Sequence, residues 1–266
     1  MDQISILLIP GAFGLPEFYQ PVIEAVVSKG FAIQVLHLPT VGPTKGQGRE
    51  GSELPTMYDD AAYISKAIAS LADASKKVIL VAHSYGGVPT TQSILGLRLG
   101  ERRAEGKRGG VVHLAYMTAL VPALGCSAAD VLSSVPDTNR DKLESDSYGW
   151  MYHANPAAAA ALSFSDLPSN EGEAWIRRFP RHSGPSFTSL LTHAGYTHIG
   201  VSYLVCENDL TIPVQIQEAA VDMIRRTGSS VNVTRIPRGH CPMVSDPQGV
   251  ASWIVDLATK TLVSQE

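Results

Sequence analysis

The sequence predicts an α/β protein, built as a doubly wound, mainly parallel sheet that carries one helical cap insertion. Three observations predict it. Short apolar runs alternate with longer amphipathic stretches along most of the 266 residues, the pattern of strands joined by crossover helices. One run, Val78-Ile-Leu-Val-Ala82, is apolar throughout, as a strand covered on both faces must be. And about eighty residues between Met117 and Ile199 break the alternation, with no buried-strand signal among them.

Taken in order, Ile4–Ile9 reads as the first strand, Pro16–Lys29 as a helix and Phe31–Leu38 as the second strand. Val41–Glu53 is rich in Gly, Pro and polar residues and reads as a mobile loop. Met57–Ala72 is a helix, Val78–Ala82 the third strand and Gly87–Leu99 a further helix. Arg98–Arg108 is basic but mixed with Glu101 and Glu105, so it reads as a solvated helix end and loop. Val111–Met117 is the fourth strand. Beyond the interruption come a strand at Ile199–Cys206, a helix at Pro213–Arg226, a strand at Val231–Ile236 and a helix at Gln248–Thr261. Parallel strands joined this way have right-handed crossovers. The interruption holds Tyr148, Trp150, Tyr152, Phe164, Trp175, Phe179 and Phe187, and an Ala-rich helix at Pro156–Leu162. A structureless loop of that length is implausible. The expected division is a core of residues 1–122 and 197–266 and a helical cap of residues 123–196.

Bulk properties exclude several function classes. With 44% hydrophobic and 17% charged residues, the chain has a globular profile. A net charge of -4 gives no steering toward nucleic acid or anionic membranes. The N-terminus lacks a basic stretch and a small-residue cleavage site. No apolar run approaches the roughly 18 residues that span a bilayer. Cys126, Cys206 and Cys241 form no CxxC pair, which suits reduced thiols and a cytoplasmic address. The histidines lack metal-ligand spacing. Gly11-Ala-Phe-Gly14 fails the dinucleotide fingerprint, and there is no P-loop. The expectation is no metal and no cofactor, a small-molecule substrate as partner, and a homodimer left open.

The segment from Val78 to Gly87 carries the chemistry. An apolar strand ends at Ala82, Ser84 follows two residues later, and a helix begins after Gly86. This is the small-x-Ser-x-small elbow, with Ala82 where Gly is commoner. Strand and helix nearly touch at such a turn, so the flanking residues must be small. The serine stands in a strained conformation at the positive end of a helix.

A serine hydroxyl needs a base, and the base needs an acid to hold its tautomer. Asp209 falls just past the strand ending at Cys206, where parallel sheets place their catalysts. Glu207 competes for the role from a poorer position. His240 lies on the loop after Val231–Ile236, with Gly239 beside it. The order Ser84, Asp209, His240 is the order this strand–turn–helix arrangement uses. Two N–H donors are needed for a developing oxyanion. Tyr85 supplies one. Ala12, in the glycine-rich turn after the first strand, supplies the other, with Phe13 as the near alternative.

These pieces together resemble the small α/β-hydrolase branch that includes plant methylesterase and hydroxynitrile-lyase types and short fungal and bacterial hydrolases. The resemblance rests on Ile9-Pro-Gly-Ala, Ala82-His-Ser-Tyr-Gly-Gly, Glu207-Asn-Asp-Leu-Thr-Ile-Pro and Gly239-His-Cys-Pro-Met. It covers Ile4 to about Leu120 and about Ile199 to the end, and leaves the cap unmatched. It implies the α/β-hydrolase fold, the triad Ser84, Asp209 and His240, the donors Ala12 and Tyr85, and a pocket between sheet and cap. It argues against the lyases, which carry Thr at the place of Gly11 and Lys at the place of Cys241.

The expected function is hydrolysis of an ester, lactone or thioester of a mid-sized, partly apolar substrate through an acyl-enzyme. The alternatives are a biosynthetic enzyme using the same triad for C–C cleavage, acyl transfer or cyclisation, and a small-molecule receptor that retains the triad. Phe13, Trp150 and Tyr152 are the expected substrate-binding residues.

Overall fold

The computed structural model describes residues 4–51 and 53–263. Residues 1–3 and 264–266 of the expected core, and Ser52 of the expected loop, lie outside the described residues. In chain order the elements are β1 (Ile4–Ile9), α1 (Gln20–Ser28), β2 (Ala32–Val35), α2 (Met57–Asp73), β3 (Lys77–His83), α3 (Gly87–Ser93), α4 (Leu99–Ala104) and β4 (Gly110–Met117). There follow α5 (Ala128–Leu132), β5 (Leu143–Ser145), β6 (Trp150–His153), α6 (Pro156–Ser163), α7 (Ser169–Ile176) and β7 (His182–Ser183). The chain ends with β8 (Gly200–Cys206), α8 (Val214–Arg226), β9 (Val231–Ile236), α9 (Pro242–Ser245) and α10 (Pro247–Val263).

Six strands form one sheet in the order β2-β1-β3-β4-β8-β9, and every pairing within it is parallel. Side chains alternate between the two faces of a strand. All six residues of β1 are buried, as are the last six of β3, so helices cover both faces of the sheet centre. The apolar run Val78–Ala82 is thereby explained. β2 and β9, at the edges, keep alternating exposure. The chain passes from β1 outward to β2 and then returns to place β3 on the other side of β1. The strand order therefore reverses between β1 and β3, and the crevice at their C-terminal ends is where open α/β sheets bind ligands.

Four expectations need correction. The helix expected over Gly87–Leu99 stops at Ser93, because the chain turns through Gly96 at φ +72° before α4 begins. The basic stretch after it is not wholly solvated. Arg102 is buried, and its guanidinium donates to Asp73 at 2.6 Å and to the Gly109 carbonyl at 3.1 Å. The insertion between β4 and β8 is not all helical. It contains an antiparallel sheet in the order β5-β6-β7, whose strands of three, four and two residues are too short to show a period of two in the sequence. Finally, the loop over Val41–Glu53 is fastened rather than free. Gly42 and Gly46 donate from their backbones to Arg181 and Phe179, Arg181 donates back to Gln47, and Ser183 donates to Thr40. Val41 also forms a bridge to His182 of β7.

Candidate active site

β3 delivers Ser84 to the crevice. The residue has φ +52°, a left-handed conformation that costs about 1–3 kcal/mol for a non-glycine residue and marks a site where function outweighs local preference. The elbow closes directly onto the end of β1. A Cβ on Gly86 would lie 2.4 Å from the Pro10 carbonyl oxygen and 2.8 Å from that of Ile9. A Cβ on Gly11 would lie 2.9 Å from Ser84 Cβ. The threonine that the lyases carry at that place has no room here without a shift of the elbow.

Three loops bring the expected side chains together. Ser84 Oγ is 2.9 Å from His240 Nε2, and His240 Nδ1 is 2.7 Å from Asp209 Oδ2. All three residues are buried. The carboxylate can only accept, so Nδ1 carries the proton and Nε2 faces the serine with its lone pair. Asp209 is held at both oxygens. Oδ1 accepts the backbone N–H groups of Thr211 at 2.7 Å and Ile212 at 2.8 Å. Oδ2 accepts the Thr118 hydroxyl as well as His240. Glu207 is exposed and takes no part. The sequence reading missed Thr118. Its signals are its place one residue beyond β4 and its φ of +38°, a conformation a β-branched residue rarely adopts. Only the first of these is visible in a sequence.

His83, beside the nucleophile, joins the same loops. Its Nε2 is 2.8 Å from the His240 carbonyl oxygen, its Nδ1 is 2.8 Å from Tyr19 Oη, and Tyr19 Oη is 3.1 Å from Gly11 N. A carbonyl only accepts, which fixes the proton on Nε2. Tyr19 therefore donates to Nδ1 and accepts from Gly11. The β1 turn, the elbow and the His240 loop are tied by one ring, which burial holds neutral, its pKa lowered to about 3.

A second buried network supports the elbow from Tyr85. Its hydroxyl donates to Asp60 at 2.8 Å, and Asp60 also accepts from Thr40 N and Oγ1. Burial raises the Asp60 carboxyl to about 7 against these favourable bonds. Phe13, at φ +59°, directs its N–H to His182 Nδ1 at 3.4 Å. Of the two expected donors in the β1 turn, Phe13 is thus engaged elsewhere, and Ala12 lines the cavity with Ser84 and Tyr85.

That cavity measures about 240 Å³ and is walled chiefly by Leu120, Leu132, Val135, Leu143, Phe187 and Ile212. Phe13 lines it. Trp150 and Tyr152 do not. Trp150 packs over Gly48, where a Cβ would meet the indole at 2.5 Å. Tyr152 donates its hydroxyl to Glu144 at 3.0 Å and lies under the Arg181 guanidinium. Both project from one face of β6, and alternation sends their neighbour His153 to the other, where it lines the cavity. Read as part of a helical region, β6 gave no hint of which residues share a face.

The fold and the site define an α/β hydrolase. A family model described as "Alpha/beta hydrolase family" matches residues 6–253, and the chain belongs to that family. Among individual relatives, "Probable hydrolase R7" of Phoma sp. (strain ATCC 20986 / MF5453) is 32% identical over 97% of this chain and 99% of its own length. A pyrethroid hydrolase from Sphingobium faniae JZ-2 superposes with a TM-score of 0.72 at 20% identity, covering 97% of this chain and 98% of its own. Polyneuridine aldehyde esterase gives 0.71 at 18% identity, over 97% and 100% of the two chains. These two structures share the fold.

Proposed function

We propose that this hydrolase is a serine-dependent carboxylic ester hydrolase, acting on an ester, lactone or thioester whose acyl or alcohol part is mostly apolar. The observation that carries the reading is the unbroken line from Ser84 Oγ through His240 to Asp209, 2.9 Å and 2.7 Å long, opening on an apolar cavity. In the proposed cycle Ser84 Oγ attacks the carbonyl carbon while its proton passes to His240 Nε2. The N–H groups of Ala12 and Tyr85 receive the oxyanion. His240 then protonates the leaving alcohol or thiol. Water, deprotonated by the same nitrogen, attacks the acyl-enzyme, and collapse of the second tetrahedral species releases the acid and returns the proton to Ser84. Asp209 keeps His240 in the tautomer that can accept, and Thr118 steadies Asp209. The segment 123–196 is proposed as a cap that shapes the cavity over Ser84. Of the structures that share the fold, one is named a pyrethroid hydrolase and another polyneuridine aldehyde esterase, and the second name supports an ester substrate.

The test compares wild type with Ser84→Ala. Wild type is expected to be labelled at Ser84 by a fluorophosphonate and to turn over small activated esters. Ser84→Ala is expected to lose labelling and at least about a thousandfold in kcat. An unlabelled, inactive wild type, or turnover that survives in Ser84→Ala, overturns the reading.

A further inference from the structure

The cavity holds a second histidine–aspartate pair. Asp141 and His153 both line it, from the start of the β5–β6 hairpin and the end of β6. Asp141 Oδ2 is hydrogen-bonded to His153 Nδ1. His153 Nε2 is buried and has no partner. Of the buried side-chain polar atoms without a partner among the described residues, it alone belongs to a residue lining this cavity. Other polar groups there are occupied. The Asn139 amide donates to the Leu210 carbonyl at 2.9 Å, and Arg140 Nε to that of Val135 at 2.8 Å.

The surroundings sharpen the point. The His153 ring packs against Phe13, centroid to centroid 4.5 Å, and against Phe179 at 5.5 Å. Phe13 follows Ala12 in the turn that faces Ser84. So the imidazole sits among aromatic rings, oriented through one nitrogen, with the other left unsatisfied. A buried polar group without a hydrogen bond is unfavourable, and one that persists marks a place that a ligand or water can satisfy. The carboxylate of Asp141 accepts only, so in the neutral ring Nδ1 of His153 carries the proton and Nε2 presents a lone pair. That lone pair calls for a donor.

We propose that, on a small turn of the ring that uncovers it, His153 Nε2 accepts a hydrogen bond from a hydroxyl group on the substrate, and that Asp141 holds the ring in the tautomer able to do so. The preferred substrates are then alcohol- or phenol-bearing esters rather than purely hydrocarbon ones. This rests on the esterolytic reading for the location of the reacting carbonyl. The pair acts on binding and not on the proton transfers at Ser84.

Single-ring esters suit a cavity of about 240 Å³. The experiment uses methyl phenylacetate, its three ring-hydroxylated isomers and the three matching methoxy compounds. Binding to Ser84→Ala is measured by calorimetry, and turnover by wild type as kcat/KM. At least one hydroxylated isomer is expected to bind about tenfold more tightly than both the parent and its own methoxy counterpart. That ratio is expected to fall to about one in the Ser84→Ala/His153→Phe double variant and to recover in part with His153→Gln, which restores an acceptor. If no isomer is favoured, if methoxy does as well as hydroxyl, or if the preference survives in His153→Phe, the proposal fails. Because binding is read without the nucleophile, an inactive wild type would overturn the esterase reading and leave the hydroxyl preference to be decided by calorimetry. Active protein without the preference would do the reverse.

Discussion

Two histidine–aspartate pairs face one cavity, and they are built differently. His240 and Asp209 stand on loops leaving β9 and β8 of the parallel sheet. All the hydrogen-bonding capacity that matters is used: both ring nitrogens of His240 are partnered, and Asp209 is held by two backbone N–H groups and the Thr118 hydroxyl. His153 and Asp141 stand on a hairpin of the insertion, where one ring nitrogen is held and the other is buried without a protein partner. The first pair is closed apart from the serine it serves. The second is half open. A parallel sheet fixes its loop ends through register and burial, so it suits groups that must not move. A short antiparallel hairpin is set by side-chain packing and suits the groups that select what is bound.

The same substitution in each pair should therefore have unlike effects. Asp209→Asn is expected to lower kcat about 10³- to 10⁴-fold for every ester alike, leaving the ratios between substrates unchanged. Glu207→Gln, on the exposed side of the same loop, should stay within about twofold of wild type. If the two exchange their effects, the acid has been misassigned.

Acid acts on the sheet and the insertion alike. Burial lowers His83 and His182 to about 3 and His113 to about 4, against 6.5 for the free side chain. A group whose folded pKa is depressed in this way is neutral in the fold and protonated in the unfolded chain over the interval between. Its contribution to stability is full above about 6.5 and is lost as the pH falls toward 4 and then 3, by about 1.4 kcal/mol per unit for each ring. Asp60, raised to about 7, tilts the opposite way, since its contribution is lost as the pH rises through about 4 to 7. Three rings outweigh one carboxyl. The Tm is expected to fall steadily from pH 6.5 to 4, and His113→Gln to flatten that slope. A Tm that is level across the interval would mean the rings are not enclosed as described.

The smallest effect belongs to Asp141→Asn. An asparagine can meet either tautomer of His153, so Nε2 would no longer be obliged to accept. The hydroxyl-to-methoxy ratio should drop a few-fold, about half the logarithmic loss of His153→Phe. An Asp141→Asn enzyme that loses activity evenly across the series would make the two pairs alike and remove the contrast.

How much of this was legible in the sequence follows from the same division. Ser84 and Asp209 could be found because each lies just beyond an apolar run long enough to be read as a buried strand, and His240 because it follows the alternating strand Val231–Ile236; the order of such loops around a parallel sheet is fixed. The place of Ala12 beside the nucleophile was legible through Gly11 and Gly14, the residues of a tight turn. Thr118 was not, since a threonine after a strand has many ordinary uses. His83 looked like a variable position of the elbow, and its two partners, Tyr19 and the His240 carbonyl, lie 64 and 157 residues away in the chain. Trp150 and Tyr152 were expected in the pocket for their size. Which way a side chain points on β6 depends on a strand of four residues, below the length at which alternation declares itself. Arg102 misled for the converse reason: charge predicts solvation unless a partner such as Asp73 is waiting, and that partner lies on another helix.

The fastening of the 41–53 loop also bears on how a substrate could arrive. Along that flank the insertion is laced to the core by backbone bonds from Gly42, Gly46, Arg181 and Ser183, which would have to part together for a ligand to pass. Near Val135 and Leu143 the chain also meets the core through the Asn139 amide on the Leu210 carbonyl. The loop whose composition suggested slack is thus a seam, several backbone bonds wide, between the insertion and the rest of the fold.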